Sequence, residues 1–402
     1  MERLKSIEDF RDLQDRVKDA HDPAIPTIII NAGTCGQASG ANDLIIVTKR
    51  ELLAKYLVDK VKMRVTGCHG WCEMEPSILV RPSGTFYPQV DMKEMPRIVQ
   101  AVANGEVIEE LLYRDPASGE RISVQEEIPF FKNQQRTLMR KNEEVDAIRI
   151  YNYIQAGGFN ALTRVLVNGS REWVVNEVKA SGLRGRGGAG FPTGLKWELL
   201  AKQPGERGKM LVCNADEGDP GAYMDRSLLE GNPQSIIEGM LIGAFATGAT
   251  EGVIYVRAEY PLAIKHLLIA MRQARELGLL GVDILGTGFD FDIELVRGAG
   301  AFVCGEETAL MRSIEGKMGE PRQRPPFPIE KGVDGMPTSI NNVESWANIP
   351  VIVEQGAFDY SRVGTRQSSG TKIFSLVGKI KNTGLVEVPM GITIRQIVYD
   401  IG

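Results

Sequence analysis

Three segments of this 402-residue chain gather residue types that bind phosphate and ribose. The first, Ser181–Trp197 (SGLRGRGGAGFPTGLKW), packs six glycines around Arg184 and Arg186 and runs into Thr193 and Lys196. Glycines at Gly185, Gly187 and Gly188 let backbone N–H groups close on an anion. A helix beginning at Thr193 would add the positive end of its dipole, and Lys196 a full charge. The second segment, Cys213–Asp225 (CNADEGDPGAYMD), supplies Asn214, Asp216 and Glu217. The third, Gly298–Leu310 (GAGAFVCGEETAL), supplies Gly305, Glu306 and Glu307. A phosphate cradle beside a cluster of acids predicts a phosphorylated cofactor and a second, ribose-bearing ligand.

Gly185-x-Gly187-x-x-Gly190 matches the GxGxxG spacing, but that fingerprint requires a strand immediately before it. Here the preceding Glu172–Lys179 reads as a helix, so a standard dinucleotide site is not expected. Thr338-Ser339-Ile340-Asn341-Asn342 offers small neutral donors; its plainest reading is a polar turn with Asn342 capping the next helix. Cys213 and Cys304 stand in apolar contexts and read as small core residues.

These motifs must be carried by alternating strands and helices. Strands are predicted at Met210–Asn214, Gly252–Val256 and Ile293–Val296. Helices are predicted at Val145–Gln155, Ala161–Val167, Glu172–Lys179, Gln234–Phe245, Leu262–Leu277 (closed by Gly278) and Glu307–Ser313, with another starting at Thr193. That order argues a largely parallel, covered sheet. Nearer the N-terminus, Thr27–Ile30 and Lys62–Thr66 read as strands, and Ser77–Val80 with Thr85–Val90 as a hairpin across Pro82-Ser83-Gly84. Asn31–Asn42 reads as a polar turn, Asp43–Lys60 as a helix, and Asp91–Ala103 as a helix closed by Asn104-Gly105. Glu106–Glu144 reads as a polar connector. Lys372–Gly402 reads as two strands and a helix over Ile392–Ile401.

Composition bounds the partners. A hydrophobic fraction of 43% and a charged fraction of 25% are those of a globular protein. A net charge of −5 disfavours nucleic acid. No apolar run reaches membrane-spanning length. The opening MERLKSIEDFRDLQDRVKDAH is a charged amphipathic helix pattern without the apolar core of a signal peptide, so a cytoplasmic location is expected. Five cysteines in such a length do not make a disulfide scaffold.

Taken together and in order, the three motifs resemble the flavin-carrying, NADH-oxidising subunit of respiratory complex I, the 51 kDa-type family. Its soluble relatives are the flavin subunits of NAD-linked, often electron-bifurcating, hydrogenases and formate dehydrogenases. Ile128-Pro-Phe-Phe-Lys132 resembles a stretch of those soluble relatives. The resemblance covers roughly Pro129 to the end, and more loosely Ile28–Val107. It implies an α/β fold in three parts: a thioredoxin-like, ferredoxin-type domain (27–107), a Rossmann-like FMN- and NADH-binding domain (146–365) and the start of a ubiquitin-like domain (366–402). An N-terminal helix (1–26) and a connector (108–145) complete the division.

The resemblance also assigns roles. The loop at Gly185, Arg186, Gly187 and Gly188, with Lys196, would hold FMN and NADH together. Asn214, Asp216 and Glu217 would contact the ribityl chain and flavin edge, with Glu217 near the nicotinamide. Gly305 would lie against the flavin, and Glu306 and Glu307 would line the nucleotide side, favouring NAD over NADP by repelling a 2′-phosphate. Asn341 and Asn342 would contact the FMN phosphate. Phe191 and Phe327 would sandwich the adenine, each stacking worth about 1 kcal/mol. Glu217 and Glu306 are the expected catalytic pair.

Cys68-His-Gly-Trp-Cys72 has the CxxxC spacing of the second ligand pair in thioredoxin-like [2Fe–2S] ferredoxin domains. The first pair falls on Asn31-Ala-Gly-Thr-Cys35-Gly36, where Asn31 and Gly36 fill the usual cysteine slots and Cys35 is displaced by one. Three thiols, Cys35, Cys68 and Cys72, stand where four are normally needed. Either a [2Fe–2S] cluster is bound there, or the domain keeps the fold without it. A family [4Fe–4S] cluster is expected on a C-terminal part or partner, and iron–sulfur electron-transfer subunits are the expected partners. Three functions follow: an NADH:acceptor oxidoreductase subunit, the reverse or bifurcating NAD(P)-reducing subunit, or a flavin-free docking subunit.

Overall fold

The structure is a computed structural model and describes residues 2–402. The chain is a mixed α/β protein in two compact units. The larger comprises residues up to Val17, Ala147–Lys372 and Pro389–Gly391; the smaller comprises Lys18–Asp146, Ile373–Val388 and Ile392–Gly402. No helix among the described residues is long and apolar enough to cross a membrane.

The larger unit is built on a four-stranded, wholly parallel sheet. In spatial order its strands are Thr338–Asn342, Met210–Ala215, Glu251–Arg257 and Asp292–Gly298. Met210–Ala215 (MLVCNA) is buried at five of six positions, as expected of a strand covered on both faces. The Pro233–Thr247 helix is apolar nearly all round and almost wholly buried. The Pro261–Leu277 helix is amphipathic and ends on Gly278 at φ +76°, the left-handed position that favours glycine. The predicted strands and long helices are present to within about two residues at most ends. The Val145–Gln155 helix is shorter than predicted: only Ile150–Gln155 is helical.

One strand is not the turn its composition predicts. Thr338–Asn342 (TSINN) pairs in parallel with Met210–Ala215, setting Asn341 opposite Cys213 and Asn342 opposite Asn214. Its polar side chains fit a buried strand because they find local partners: Thr338 Oγ1 donates to the Met336 carbonyl at 2.9 Å. Asn342 also caps the Val343–Gln355 helix, as read, accepting from Glu344 N at 2.9 Å. The chain runs outward through three sheet positions and then returns to the far side of the first. That reversal lies between Met210–Ala215 and Thr338–Asn342. In open α/β sheets ligands bind outside the carboxyl ends of strands at such a reversal.

The smaller unit has a four-stranded mixed sheet, ordered Lys62–Thr66, Thr27–Asn31, Ile78–Arg81, Thr85–Tyr87. The first two are parallel and the remaining pairings antiparallel. Helices Ala41–Ala54 and Met95–Asn104 contribute to its core. The expected polar turn Asn31–Asn42 contains a short helix, Thr34–Ala38. Glu106–Glu144 is not merely a connector: Ile128, Phe130 and Phe131 join Trp71, Phe86, Val386 and Val388 in one buried cluster. Trp71 stacks on Phe130 with centroids 4.7 Å apart. The segment's charged average conceals this aromatic pair.

Candidate functional site

The glycine-rich loop leaves the Arg171–Ala180 helix, as the sequence requires of a non-standard site, and enters the Thr193–Ala201 helix. It closes on itself through Gly185 N to Phe191 O at 2.9 Å and Thr193 N to Leu183 O at 3.0 Å. Among the described residues, the amides of Gly187, Gly188, Ala189 and Gly190 meet no protein acceptor in hydrogen-bonding geometry. Gly188 has φ +107°, and a Cβ built there would find nothing within 4 Å. Four successive free donors around open space make an anion nest. Thr193 Oγ1, at the start of the following helix, is buried and also lacks a protein partner. These are the features a bound phosphate group would satisfy.

The loop is pinned to the carboxyl edge of the sheet. Arg186 N donates to Ser345 Oγ at 2.9 Å. Gly187 lies so near Asn342 that an added Cβ would stand 3.2 Å from Asn342 Cβ. Asn342 Nδ2 in turn donates to Asp225 Oδ2 at 2.7 Å. The other oxygen of that buried carboxyl has no partner, and burial, then the neighbouring Glu217, pushes its pKa well up. Lys196 is half-buried, donates to the Ile340 carbonyl at 2.8 Å and lies 5.9 Å from the Phe191 ring centre. Burial lowers its pKa, so an anionic ligand would favour its charged form.

Asn214, Asp216 and Gly305 are brought together. Asn214 Nδ2 donates to the Gly305 carbonyl at 3.0 Å, and its Oδ1 accepts from Asp216 N at 2.9 Å. A Cβ on Gly305 would stand 3.3 Å from the Asp216 carbonyl oxygen. Arg257, the last residue of its strand, pairs with Asp216 at 3.1 Å. Burial raises the Asp216 pKa and Arg257 opposes that rise.

Glu217 and Glu306 share a design. Glu217 holds the start of the Met224–Gly231 helix, accepting from Met224 N at 2.7 Å and Arg226 N at 3.3 Å. Burial raises its pKa, and those amides pull it back. Tyr260 O–H donates to its main-chain carbonyl at 3.0 Å. Glu306 caps the Glu307–Ile314 helix, accepting from Thr308 N at 2.9 Å and Ala309 N at 3.1 Å. Both carboxylates are thereby oriented by helix N-termini. Glu307 is ion-paired with Arg324, three residues before Phe327. Phe191 and Phe327 are exposed rings, 42% and 50% accessible, and so are not core.

Two predicted residues are otherwise employed. The Arg186 guanidinium is buried and donates to the carbonyls of Thr371, Arg184 and Ser369 at 3.0, 2.9 and 2.6 Å. Its side chain clamps the loop from behind, and its contribution to a phosphate site is that clamp. Asn341 is buried, with its amide toward Ser339 Oγ at 3.4 Å. Cys213 and Cys304 are buried core residues, as read. Asp225, Arg257, Tyr260 and Arg324 were missed. Arg257 carries a local signal, a charge at a strand end, and Asp225 another, an acid in the first turn of a helix; Arg324 and Tyr260 carry none.

In the smaller unit, no group of three or more His, Cys, Asp or Glu among the described residues is arranged to hold a metal ion. The three residues of the expected metal set, Cys35, Cys68 and Cys72, take part in no disulfide. Cys68 is buried and its Sγ accepts from Gly70 N at 3.3 Å. The His69 ring is buried against Thr66 Oγ1 at 2.8 Å, and burial lowers its pKa to about 4.

Comparison with known proteins agrees with this geometry. Residues 178–351, which span most of the site, match the family of the Nuo51 FMN-binding domain. That match supports the resemblance to 51 kDa-type flavoprotein subunits. The chain is 56% identical over 271 residues to the NADP-reducing hydrogenase subunit HndC of Solidesulfovibrio fructosivorans, covering 67% of this chain and 55% of that protein. It is 45% identical over 262 residues to a subunit of the NADH-quinone oxidoreductase of Aquifex aeolicus, covering 65% and 61%. The chain thus spans less than two thirds of the length of these curated relatives. An NAD+-reducing [NiFe]-hydrogenase structure in the H2-reduced state aligns with 98% of this chain and 64% of its own, at a TM-score of 0.57 and 28% identity.

Proposed function

We propose that the larger unit is an FMN-dependent electron-entry module that oxidises NADH and passes electrons to iron–sulfur partners. The observation that carries this reading is the ring of unaccepted amides at Gly187–Gly190, set beside Asn342 and Asn214 at the sheet reversal. The residues fit the cofactor. Gly185, Gly187, Gly188 and Lys196 hold the phosphate, with Asn342 beside them and Arg186 and Asn341 shaping the loop and strand behind. Asn214, Asp216 and Gly305 form the wall for the ring and its chain. Bound FMN supplies the exchange between two-electron hydride chemistry and single-electron transfer. The chain's own work is positioning: Glu217 and Glu306, fixed by helix starts, orient the nicotinamide ribose, Glu307 faces the adenosine ribose, and Phe191 and Phe327 clasp the adenine.

A second reading runs in reverse, toward NAD(P) reduction. It is favoured by the 56% identity to a protein whose name states NADP reduction. Arg324 supports it too: pairing with Glu307 cancels the charge that would repel a 2′-phosphate. The finer division is part of the same reading, with a thioredoxin-like domain at 27–107, a Rossmann-like domain at 146–365 and a ubiquitin-like start at 366–402.

The test is the flavin. The purified chain should be yellow, release FMN on denaturation, and bleach on anaerobic addition of NADH. A chain that stays colourless after incubation with FMN is a docking subunit and not this enzyme.

A further inference from the structure

We infer that the smaller unit holds no [2Fe–2S] centre, because the Asn31 end of the ligand set is rebuilt as a hydrogen-bonded Asn31–Glu75–Ser77 plug. Asn31 is 1% exposed, and both ends of its amide are in use. Its Nδ2 donates to the Glu75 carboxyl, and its Oδ1 accepts from Gly33 N at 3.3 Å. Glu75 is itself buried and accepts further from Ser77 N at 3.1 Å and Ser77 Oγ at 3.4 Å. Such a network is costly to open, since each partner would be left buried and unpaired.

The second missing ligand is closed off by backbone. At Gly36 an added Cβ would stand 2.5 Å from the Asn31 carbonyl oxygen. A side chain there cannot enter without moving the strand end, so this slot has lost its space as well as its thiol.

The consequence for electron flow rests on the proposed flavin reading: electrons leaving the flavin would bypass this unit, which then serves for docking. The inference about iron does not depend on that reading. The experiment uses the full chain, expressed with iron–sulfur assembly genes, purified without oxygen and then incubated with ferrous iron and sulfide. A four-cysteine [2Fe–2S] ferredoxin is carried through in parallel. Iron, acid-labile sulfide and flavin are measured per chain, with electron paramagnetic resonance after reduction. The expected result is flavin without stoichiometric iron or sulfide and without a reduced-cluster signal. Iron and sulfide at two each per chain, surviving a chelating wash, would overturn the inference whatever the flavin content. Absence of both iron and flavin would leave it standing and sink the flavin reading instead.

Discussion

Gly188 and Gly36 both lie in segments that the sequence offers as holders of a redox group, and the structure treats them oppositely. A Cβ at Gly188 would meet nothing, whereas one at Gly36 would strike a backbone oxygen at 2.5 Å. Around Gly188 the amides lack partners; around Gly36 the Asn31 amide and the Glu75 carboxyl are bonded to each other. A cofactor site shows itself by unspent donors and unfilled room more than by residue types. The larger unit keeps both. The smaller keeps three cysteines and has spent the room.

The largest effect that could break this contrast is expected at the loop itself. Gly188→Val should abolish FMN retention, because its branches would fill the nest. Gly288→Val is the control: it also lies at positive φ with no neighbour in reach, so it carries similar backbone strain without touching the site. Full flavin occupancy in Gly188→Val, or equal loss in both variants, would contradict the loop's proposed role.

Buried acids offer the next comparison. Glu238 of the larger unit is fully buried and accepts from Tyr153 O–H, Phe159 N at 2.9 Å and Leu162 N at 3.0 Å. Burial raises its pKa from 4.5 to about 7. Between those values the folded state keeps a proton that the unfolded state has released. This contribution is therefore complete below pH 4.5 and is lost as pH rises toward 7, by about 3 kcal/mol. Urea midpoints measured across that window should fall for the native chain. They should fall markedly less for Glu238→Gln; parallel curves would refute the assignment.

The closed slot gives a smaller effect. Gly36→Ala should destabilise the smaller unit by about 1–3 kcal/mol through overpacking against the Asn31 carbonyl. Flavin content should stay unchanged. If thermal unfolding of the variant matches that of the native chain, the strand end is looser than the plug requires.

The sheet and its site were legible to different depths in the sequence. Long apolar runs such as Met210–Ala215 and Pro233–Thr247 announce themselves, because burial on both faces demands them. The loop, the acids and the GEE segment were legible as chemistry, since glycine spacing and charge are local. Thr338–Asn342 was not readable as a strand, because its stability comes from pairing with a strand more than a hundred residues earlier. The clamp made by the Arg186 side chain was not readable for the same reason: its three acceptor carbonyls include those of Ser369 and Thr371, which no local pattern connects to it. The Asn31–Glu75 bond likewise joins residues 44 positions apart. Sequence showed that two cysteine slots were empty, and only packing showed that they were filled.

The mildest predicted effect separates binding from positioning within the larger unit. In Glu217→Gln one side-chain oxygen remains to accept from the start of the Met224–Gly231 helix, so folding should lose no more than about 1 kcal/mol. FMN should remain bound. On the proposed reading the carboxylate lost is the one that orients the nicotinamide, and kcat/KM for NADH-dependent dye reduction should fall about tenfold. Glu307→Gln removes a half-exposed ion pair with Arg324, worth under about 1 kcal/mol to stability. It should leave flavin in place and raise the NADPH-to-NADH ratio of kcat/KM several-fold, since Arg324 is then free to meet a 2′-phosphate. Unchanged ratios would place Glu307 away from the adenosine ribose, and unchanged kinetics in Glu217→Gln would reduce that residue to a helix cap. Either outcome would leave the amide nest as the whole of the site's case.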